Sequence, residues 1–480
     1  MTVSIEGIAP AGDAADGADV QARRAKVQRL REAGTEPFAP LPASPHTTVA
    51  AVRAAALETE HRVLGRVVTR RHHGAITFLD VRDDSGALEL CAKRDVLGER
   101  YGAVRRLDVG DIVDAHGVRI AAADGEPVLR LSGAELVCKA LRPPPPAPTR
   151  GRVDPRADRA LTLLADGEAR DMVRLRSRAM RTLRDTLDQR GFLEVDTPIL
   201  QGLDGGARVR PFTTRANALG RELSMRISAQ MDLRRCIVGG LERVYDLGRC
   251  FRNEGVSRRH SPEFTMLEWS AAYLDYLDAA ALTADLVVAV AERVLGTTRI
   301  RYAGKDIDLT PPWRRVSVRD ALLEATGVDV LQADGATLAR LLGPHVQPDV
   351  PWAEAVNALF AERVEPTLVQ PTIVYDFPVE GLPLSQRHAT DQRLSETFDI
   401  IVGGVEIASG DTEITDPDEQ RARFAQQAGD DVLAPRDDAF ARMLQYGVPP
   451  SAGAGLGVDR MLAVLTDADS LQDVITFPVV

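Results

Sequence analysis

Four consecutive prolines, Pro143–Pro146, divide this chain of 480 residues into two unequal parts. An alanine and one further proline, Pro148, extend the run. Proline fixes φ and has no backbone N–H, so such a run forms a stiff, extended connection rather than a helix or a central strand. The sequence therefore predicts one domain before the prolines and a longer domain after them.

The part before the prolines contains five short β-rich segments separated by turn residues. They begin at Val63, Ala75, Ala87, Asp111 and Pro127. Five strands at this spacing are typical of a small closed barrel, and the oligonucleotide-binding barrel is one candidate. We predict this barrel over residues 60–142, after an N-terminal extension at residues 1–59.

The extension carries a basic segment at residues 18–34, with five basic and two acidic side chains. Its composition favours a helix, and Gly34 offers a stop. The charge run has two interpretations, a solvated helix face and a contact with RNA phosphates.

The net charge of −11 at first argues against a nucleic-acid partner. Its distribution changes that conclusion, because residues 1–150 carry +1 and residues 151–480 carry −12. RNA contacts, if present, are expected in the first part of the chain.

Residues 143–170 are predicted to be a linker and hinge, and residues 171–480 a second domain. Helical patterns cover residues 172–190, 272–294 and 336–365, and strand-like runs cover 243–251, 264–271 and 398–408. Because no βαβ spacing links the strands, we predict an antiparallel sheet flanked by helices, and an α+β fold.

Location and redox chemistry are constrained mainly by what the sequence lacks. It has no apolar run long enough to span a bilayer, and its start lacks the basic and apolar regions of an export signal. The four cysteines show no metal-ligand spacing. We expect a cytoplasmic protein with no membrane partner.

Three segments carry candidate chemistry. Gly191–Leu200 is an ordinary helix–strand junction by itself. Phe251–Glu268 holds arginines and carboxylates, which are either solvated surface charges or a phosphate site, since arginine forks bind phosphate oxygens bidentately. Gly453–Leu462 is a glycine-rich strand entering a helix. It lacks the P-loop pattern but lets a ligand approach the backbone, with Arg460 following.

In combination, these segments resemble the three signature motifs of class II aminoacyl-tRNA synthetases, most closely the lysine-specific members of the aspartate, asparagine and lysine subgroup. Segments in family order support the resemblance: VLGRVVTRR, FRNEG with RHSPEFTMLE, QPTIVYDFP, FDIIVGGVEIASG and GAGLGVDRM. It implies an anticodon-binding barrel, a catalytic domain with an antiparallel sheet, and a homodimer joined through Phe192–Leu200.

The implied reaction is ATP-dependent activation of lysine, or a related cationic amino acid, followed by transfer to the 3′ end of tRNA, with tRNA-Lys as the expected partner. The attacking carboxylate is already an anion, so catalysis depends on positioning and charge stabilisation, for which arginines and Mg²⁺ are suited.

The resemblance assigns catalysis to Arg252 and Arg460. The implied ATP-binding residues are Arg252 at the α-phosphate, Glu254 and Phe264 at the adenine, His260 and Arg460 at the β- and γ-phosphates, and Glu406. Asp399 and Glu406 would bind Mg²⁺, which requires a bulge between them, for which Gly403-Gly404 offers a place. Alternatively, Asp399 is a solvated strand carboxylate.

The implied amino-acid pocket departs from the lysine-enzyme pattern. Its residues are Gly206, Gln230, Glu268, Ser270, Ser409, Asp411, Glu413 and Gly457. Gln230 replaces a glutamate, Ser270 a tyrosine and Asp411 an aromatic residue. The pocket is thus roomier and more anionic, and two possibilities stay open: ordinary lysine binding, or a modified lysine, a β-amino isomer or arginine.

The implied anticodon contacts are Arg71, Phe78, Glu89 and Glu135. Glu89 stands where a glutamine is usual, and an anionic acceptor cannot donate to a uridine carbonyl. Residues 156–162 also differ from the family. The alternatives to a tRNA ligase for lysine are a divergent paralogue with another cationic substrate or a non-tRNA acceptor, and a non-catalytic RNA-binding relative.

Overall fold

The computed structural model describes most of the chain. The described residues are 17–40, 45–145, 159–202, 210–343, 347, 349–428 and 438–479. Contacts between residues divide the chain into two compact units, Met1–Ala147 and Pro148–Val480. The division falls inside the proline-rich segment.

The described residues of the first unit form four short or medium helices and five strands. The helices are α1 (Ala18–Glu32), α2 (Val49–Ala54), α3 (Arg94–Leu97) and α4 (Tyr101–Arg105). The strands are β1 (Glu60–His73), β2 (Ile76–Asp83), β3 (Gly86–Lys93), β4 (Ile112–Ala121) and β5 (Pro127–Cys138). They close into a barrel in the order β1-β2-β3-β5-β4, with β3 and β5 parallel and the other pairs antiparallel. The predicted oligonucleotide-binding barrel is confirmed.

Alternation along the barrel strands decides which side chains form its core. Val63 and Val67 of β1 and Leu79 and Val81 of β2 are fully buried, whereas their neighbours are partly exposed. Since successive side chains of a strand point to opposite faces, period-two alternation places one set inside the barrel and leaves the other for solvent or ligand.

The basic helix α1 binds the barrel with part of its charge. Arg23 donates to the backbone oxygens of Val109 and Ala140, both at 3.0 Å. The ammonium of Lys26 lies 2.7 Å from the Asp108 carboxylate. These two side chains thus have a structural role. A contact with RNA would have to come from other basic residues of the helix.

The second unit contains eleven helices among its described residues. They are α5 (Arg159–Ala165), α6 (Gly167–Asp188), α7 (Gln230–Val238), α8 (Tyr276–Val290), α9 (Val318–Thr326), α10 (Gly335–Leu342), α11 (Trp352–Leu359), α12 (Pro417–Ala428), α13 (Asp438–Leu444), α14 (Val458–Leu465) and α15 (Leu471–Val474). The single helix predicted over 336–365 is wrong. Gly343, at φ 108°, follows α10, and Pro351 caps α11.

Thirteen strands in the described part of this unit form three sheets. They are β6 (Leu193–Glu194), β7 (Leu200–Gln201), β8 (Thr213–Ala216), β9 (Arg221–Met225), β10 (Arg243–Phe251), β11 (Glu263–Ala272), β12 (Arg299–Tyr302), β13 (Lys305–Asp308), β14 (Arg314–Ser317), β15 (Thr372–Tyr375), β16 (Thr397–Val402), β17 (Val405–Thr412) and β18 (Ser451–Gly457). The main sheet has eight strands in the order β14-β15-β16-β17-β18-β11-β10-β6. It is antiparallel, as predicted, except for parallel pairs at its two edges.

One face of this sheet packs against helices, and the other face carries the candidate site. Leu267, Trp269 and Ala271 of β11 alternate with Glu268 and Ser270, and only the first set joins the main hydrophobic core. Ala452, Ala454 and Leu456 of β18 also join this core, and glycines alternate with them along the strand. Strand periodicity therefore sends the polar side chains and the glycines to the face opposite the core.

Candidate active site

A cavity of about 450 Å³ lies on the polar face of the main sheet. Twelve of the predicted site residues line it: Gln230, Arg252, Glu254, His260, Phe264, Glu268, Ser270, Glu406, Ser409, Asp411, Gly457 and Arg460. Asp399 and Glu413 lie beside the cavity rather than among the residues that line it. Gly206 lies outside the described residues.

Three glycines of β18 form the floor of the cavity. Gly453, Gly455 and Gly457 alternate with the core residues of that strand. A Cβ on Gly455 would lie 2.6 Å from the Met266 Cε, and a Cβ on Gly453 would lie 2.6 Å from a backbone oxygen. The glycine pattern recognised in the sequence thus keeps the floor flat, so that a ligand can lie directly on the sheet.

Arginines gather at one end of the cavity. Arg252 follows the last residue of β10, and its guanidinium carbon lies 5.2 Å from the centre of the Phe264 ring. Its Nε is buried and has no hydrogen-bond partner in the described part of the chain. A desolvated donor without a partner is costly, so this end of the cavity is suited to an anionic ligand.

Arg460 supplies the second cation of this end from the first turn of α14. It donates to the Glu406 backbone oxygen at 3.2 Å and lies 3.4 Å from Nε2 of His260. Burial and the Arg460 charge lower the pKa of His260 below its ordinary value. The histidine is therefore neutral at neutral pH and can share a hydrogen bond with the arginine.

Asp399 on β16 and Glu406 on β17 lie beside the arginines. The bulge that places them on one face of the sheet is not where the sequence predicted it. Gly403 and Gly404 have φ of 66° and 73° and form the turn of a hairpin, so the expected bulge at these glycines is wrong. The bulge lies at Ile407, where two successive residues, Ile407 and Ala408, face the core. Glu406 therefore shares the site face with Asp399.

Burial and the charge of Glu406 raise the pKa of Asp399 well above its ordinary value. The pKa of nearby Glu365 is raised in the same way, by burial and then by Glu406. Like charges held this close favour protonation unless a cation balances them. In the described part of the chain, no three His, Cys, Asp or Glu side chains are arranged to hold a metal ion by themselves.

The other end of the cavity contains a second set of carboxylates. Glu268 is buried, and its oxygens accept hydrogen bonds from the Ser228 hydroxyl at 2.7 Å and from the Ala229 backbone N–H. Burial raises its pKa despite these donors. Asp411 is buried as well, and accepts from the Ser385 hydroxyl and from the Gln230 amide at 3.3 Å.

Pairing across the sheet orders these side chains into rows. Glu268 and Ser409 both pair with Gly455, and Ser270 and Asp411 both pair with Gly453. The first row lies two residues closer to the arginine end than the second, which is roughly 7 Å along the strands. The residues predicted for the amino-acid pocket thus line one cavity, apart from Glu413, which lies beside it, and Gly206, which lies outside the described residues.

Several residues that organise the site carry no signal in the sequence. Arg234 pairs with Glu413, Arg226 with Asp246, and Arg176 with Asp459, all of them buried. Asp459 also accepts from the Thr265 backbone N–H at 2.7 Å, which joins α14 to β11. Each pair links residues far apart in the chain, so local patterns could not reveal them.

On the barrel, three of the four predicted anticodon residues lie together. The Arg71 guanidinium lies 2.5 Å from the Glu89 carboxylate, and its central carbon lies 5.9 Å from the centre of the Phe78 ring. Glu135 is on β5, opposite Asp114 of β4. The hydrogen bond to Asp114 raises the pKa of Arg62, and the charge of Glu135 adds a smaller increase. The carboxylate at position 89 is thus already neutralised by a neighbouring arginine.

The sequence matches known families over both units. The family described as class II tRNA synthetases (D, K and N) matches residues 155–480, and the OB-fold nucleic acid binding domain matches residues 61–140. The chain therefore belongs to the class II tRNA synthetases of the D, K and N group, within the family of the lysyl enzymes.

Similar proteins cover nearly the whole chain. A lysine--tRNA ligase of Carboxydothermus hydrogenoformans is 39% identical over 474 residues, which is 96% of this chain and 97% of the relative. One from Moorella thermoacetica is 40% identical over 470 residues, 95% of this chain and 96% of the relative. One from Roseiflexus castenholzii is 41% identical over 478 residues, which is 95% of this chain and 97% of the relative. No described helix is long and apolar enough to cross a membrane.

Proposed function

We propose that this protein activates lysine with ATP and transfers it to the 3′ end of tRNA. One observation carries the proposal: a single glycine-floored cavity has arginines at one end and buried carboxylates at the other. The first end suits a polyphosphate and the second a cationic amino acid. The lysine--tRNA ligases that match the full length of the chain support it, and they favour neither a different substrate nor a non-catalytic role.

In the first step, a carboxylate oxygen of lysine attacks the α-phosphorus of ATP, and the bond to the leaving pyrophosphate breaks. Arg252 would bind the α-phosphate and the attacking carboxylate, and its buried Nε, which has no partner in the described residues, supports this role. Arg460 and neutral His260 would bind the β- and γ-phosphates, Phe264 would stack on the adenine, and Glu254 would accept from its amino group. These residues stabilise charge and fix geometry rather than transfer protons.

The donor set at Asp399 and Glu406 fits Mg²⁺. Carboxylate oxygens are ligands of this hard cation, which is commonly held by one or two carboxylates together with substrate phosphates. Burial and then the charge of Glu406 raise the pKa of Asp399, and a divalent cation would balance the negative charge of the two carboxylates. When bound, the cation would neutralise phosphate charge.

In the second step, a ribose hydroxyl of the tRNA attacks the carbonyl carbon of the adenylate, the bond from that carbon to the phosphate oxygen breaks, and AMP leaves while the hydroxyl proton passes to the phosphate. We assign anticodon binding to residues 60–142 and catalysis to residues 171–480, with residues 143–170 as the linker and hinge. Phe78 would stack on an anticodon base, which is commonly worth about 1–3 kcal/mol. Phe78→Ala should therefore weaken tRNA binding about 5- to 150-fold and leave adenylate formation unchanged, as measured by filter binding and pyrophosphate exchange.

We further propose a homodimer joined through residues 192–200. Leu193, Ile199 and Leu200 are 52%, 44% and 51% exposed in the single chain, and clustered exposed apolar side chains indicate a contact surface. Light scattering on the purified protein tests this proposal. Because its substrate tRNA is used in translation, the enzyme would act in the cytoplasm.

ATP–pyrophosphate exchange tests the proposed function directly. The purified protein should exchange label with lysine and fail to do so with leucine or glutamate. Transfer of labelled lysine to tRNA-Lys then tests the second step. Exchange that depends on another amino acid would contradict the proposed substrate, and an absence of exchange with every amino acid would contradict the proposed activity.

A further inference from the structure

The strand that leads to Arg252 is covered by a neighbouring strand along only one of its two edges. β11 pairs with β10 from Arg243 to Phe251, whereas β6 pairs with Val244 and Tyr245 alone. No described strand covers the remainder of that second edge. Backbone groups at an uncovered strand edge open more readily than groups paired on both sides. The uncovered part ends directly before Arg252.

Arg226, which follows β9, occupies this edge in place of a strand. Its backbone oxygen accepts from the Phe251 N–H at 2.9 Å, and its Nε donates to the Arg249 backbone oxygen at 2.7 Å. These two groups belong to alternate residues of β10, as would the groups bonded by a neighbouring strand. On the other side, the Arg252 N–H donates to the Pro262 oxygen at 2.9 Å. The end of β10 is thus held from both edges.

Buried partners fix the guanidinium of Arg226. The residue is 3% exposed, and its two terminal nitrogens donate to the Asp246 carboxylate at 2.8 and 3.2 Å. Nη1 also donates to the Thr197 hydroxyl at 2.5 Å, and that hydroxyl donates to Asp246 at 2.8 Å. A Cβ on Gly248 would lie 2.0 Å from Nη2, so this glycine leaves the space that the guanidinium fills. A bidentate, charge-assisted pair of this kind fixes orientation as well as distance.

Arg226 does not line the cavity itself. Met225, Ile227 and Ser228, which surround it in the chain, do line the cavity. The Arg226 side chain instead contacts β10 and the segment before β7. Any effect of Arg226 on the reaction must therefore act through its neighbours, and the end of β10 is the part that it holds most directly.

We propose that Arg226 is a positioning residue for amino-acid activation, which fixes the end of β10 and thereby holds Arg252 at the α-phosphate. Asp246 and Thr197 orient its guanidinium. A cation that stabilises charge in the transition state is most effective when its position is fixed before the reaction. The proposal rests on the proposed function, because it gives Arg226 a part in that reaction.

The first experiment compares Arg226→Lys with the wild-type protein in lysine-dependent pyrophosphate exchange. Lysine keeps a positive charge beside Asp246, but its ammonium cannot reproduce the planar fork that reaches Asp246, Thr197 and Arg249 together. Active sites are counted by titration with adenylate formation. A purely structural role lowers the fraction of active sites and leaves the rate per site unchanged. We expect the rate per site to fall about 10- to 100-fold.

Arg423→Lys is the matched control. Arg423 is also buried and pairs with a carboxylate, that of Glu419 at 3.3 Å. It does not line the cavity, and its described contacts are with Glu419 and the Val379 oxygen rather than with β10. The rate per site should equal that of the wild type, and light scattering should show the same oligomeric state for every variant.

Thr197→Val tests the orienting contact by itself. The substitution removes the hydroxyl that joins Arg226 to Asp246 and keeps the size of the side chain. Because the contacts of Arg226 with Asp246 and Arg249 remain available, the rate per site should fall by less than in Arg226→Lys but should still be below that of the wild type.

Hydrogen–deuterium exchange measures the effect on β10 without substrate. Peptides that cover residues 247–253 should exchange faster in Arg226→Lys than in the wild type, because the edge of the strand loses a donor. Peptides that cover α8 should exchange at the wild-type rate in both. A lower rate per site with unchanged exchange at 247–253 would show that Arg226 does not act through β10.

The outcomes separate this proposal from the proposed function. An unchanged rate per site in a folded Arg226→Lys, or an equal loss in Arg423→Lys, would overturn the role of Arg226 alone. If another amino acid supports exchange in the wild type, lysine is the wrong substrate, and the variants are compared with that amino acid. A wild-type protein that activates no amino acid contradicts both proposals. If Arg226→Lys does not fold, Thr197→Val decides, and a wild-type rate per site there overturns the proposal.

Discussion

The two ends of the cavity differ in how far the protein satisfies its own charges. At the nucleotide end, Arg252 has a buried Nε without a described partner, and Arg460 makes only long contacts of 3.2–3.4 Å. At the amino-acid end, Glu268 and Glu413 accept hydrogen bonds at both oxygens, and an arginine pairs with Glu413.

This difference matches the ligands proposed for the two ends. ATP brings several negative charges of its own, so the protein needs only to place cations where phosphate oxygens will lie. An amino acid brings one or two ammonium groups, and the carboxylates that meet them must be kept in a fixed geometry before binding. Stability is therefore expected to depend on the amino-acid end, and catalysis on the nucleotide end.

The largest expected effect on stability is at Arg234. Arg234→Ala leaves Glu413 buried without its cation, which commonly costs about 3–5 kcal/mol. Thermal unfolding should show a clear fall in Tm. Arg235→Ala is the matched control on the same helix, since its pair with Asp232 is partly exposed and should contribute at most about 1 kcal/mol. Equal effects of the two substitutions would contradict the comparison.

Arg252→Ala should have the largest effect on catalysis. Loss of a preorganised cation at the reacting phosphate is expected to lower the rate of pyrophosphate exchange by about 10²–10³-fold. The Tm should change less than in Arg234→Ala, because Arg252 forms no described ion pair and its buried Nε has no described hydrogen-bond partner. Arg249→Ala on β10, the strand that precedes Arg252, is the control, since Arg249 does not line the cavity and pairs with Glu263 at 3.5 Å. A fall in Tm as large as that of Arg234→Ala would break the distinction between the two ends.

The glycine floor gives a smaller test of the same difference. A Cβ on Gly453 would lie 2.6 Å from the rigid backbone oxygen of Trp269, whereas a Cβ on Gly457 would have no neighbour closer than 3.5 Å. Gly453→Ala should therefore destabilise the protein by about 1–3 kcal/mol, and Gly457→Ala by less than about 0.5 kcal/mol. Urea unfolding of both variants measures this, and the reverse order would show that the floor is tighter at the nucleotide end.

The smallest expected effect is a difference in pH dependence. His260 has a pKa lowered by burial and by Arg460, so it is mainly neutral at neutral pH and above, and the KM for ATP should be constant there. The KM for the amino acid should change over the same range, since Asp411 has a pKa of about 7. Initial rates at several pH values measure both constants, and parallel curves would mean that one group controls the two ends.

Much of the fold followed from local patterns in the sequence. The five barrel strands, β10 and β11 lie where periodicity predicted them, because period-two alternation is a local property that each strand carries by itself. Two predictions failed where adjacent elements were merged. The run from Phe398 to Ala408 is a hairpin rather than one strand, and its two positive-φ glycines form the turn. The run from 336 to 365 is two helices.

The sequence by itself determined the order of the domains, the alternation of the strands and the identity of the arginines and carboxylates that line the cavity. Only the tertiary structure decided how each of these carboxylates is held. Glu413 and Asp411 are two residues apart, yet Arg234 of α7 pairs with one and neutral Gln230 and Ser385 hold the other. The physical reason is that burial and the partners supplied by distant segments set the charge of an ionisable group, whereas the local sequence sets only its position.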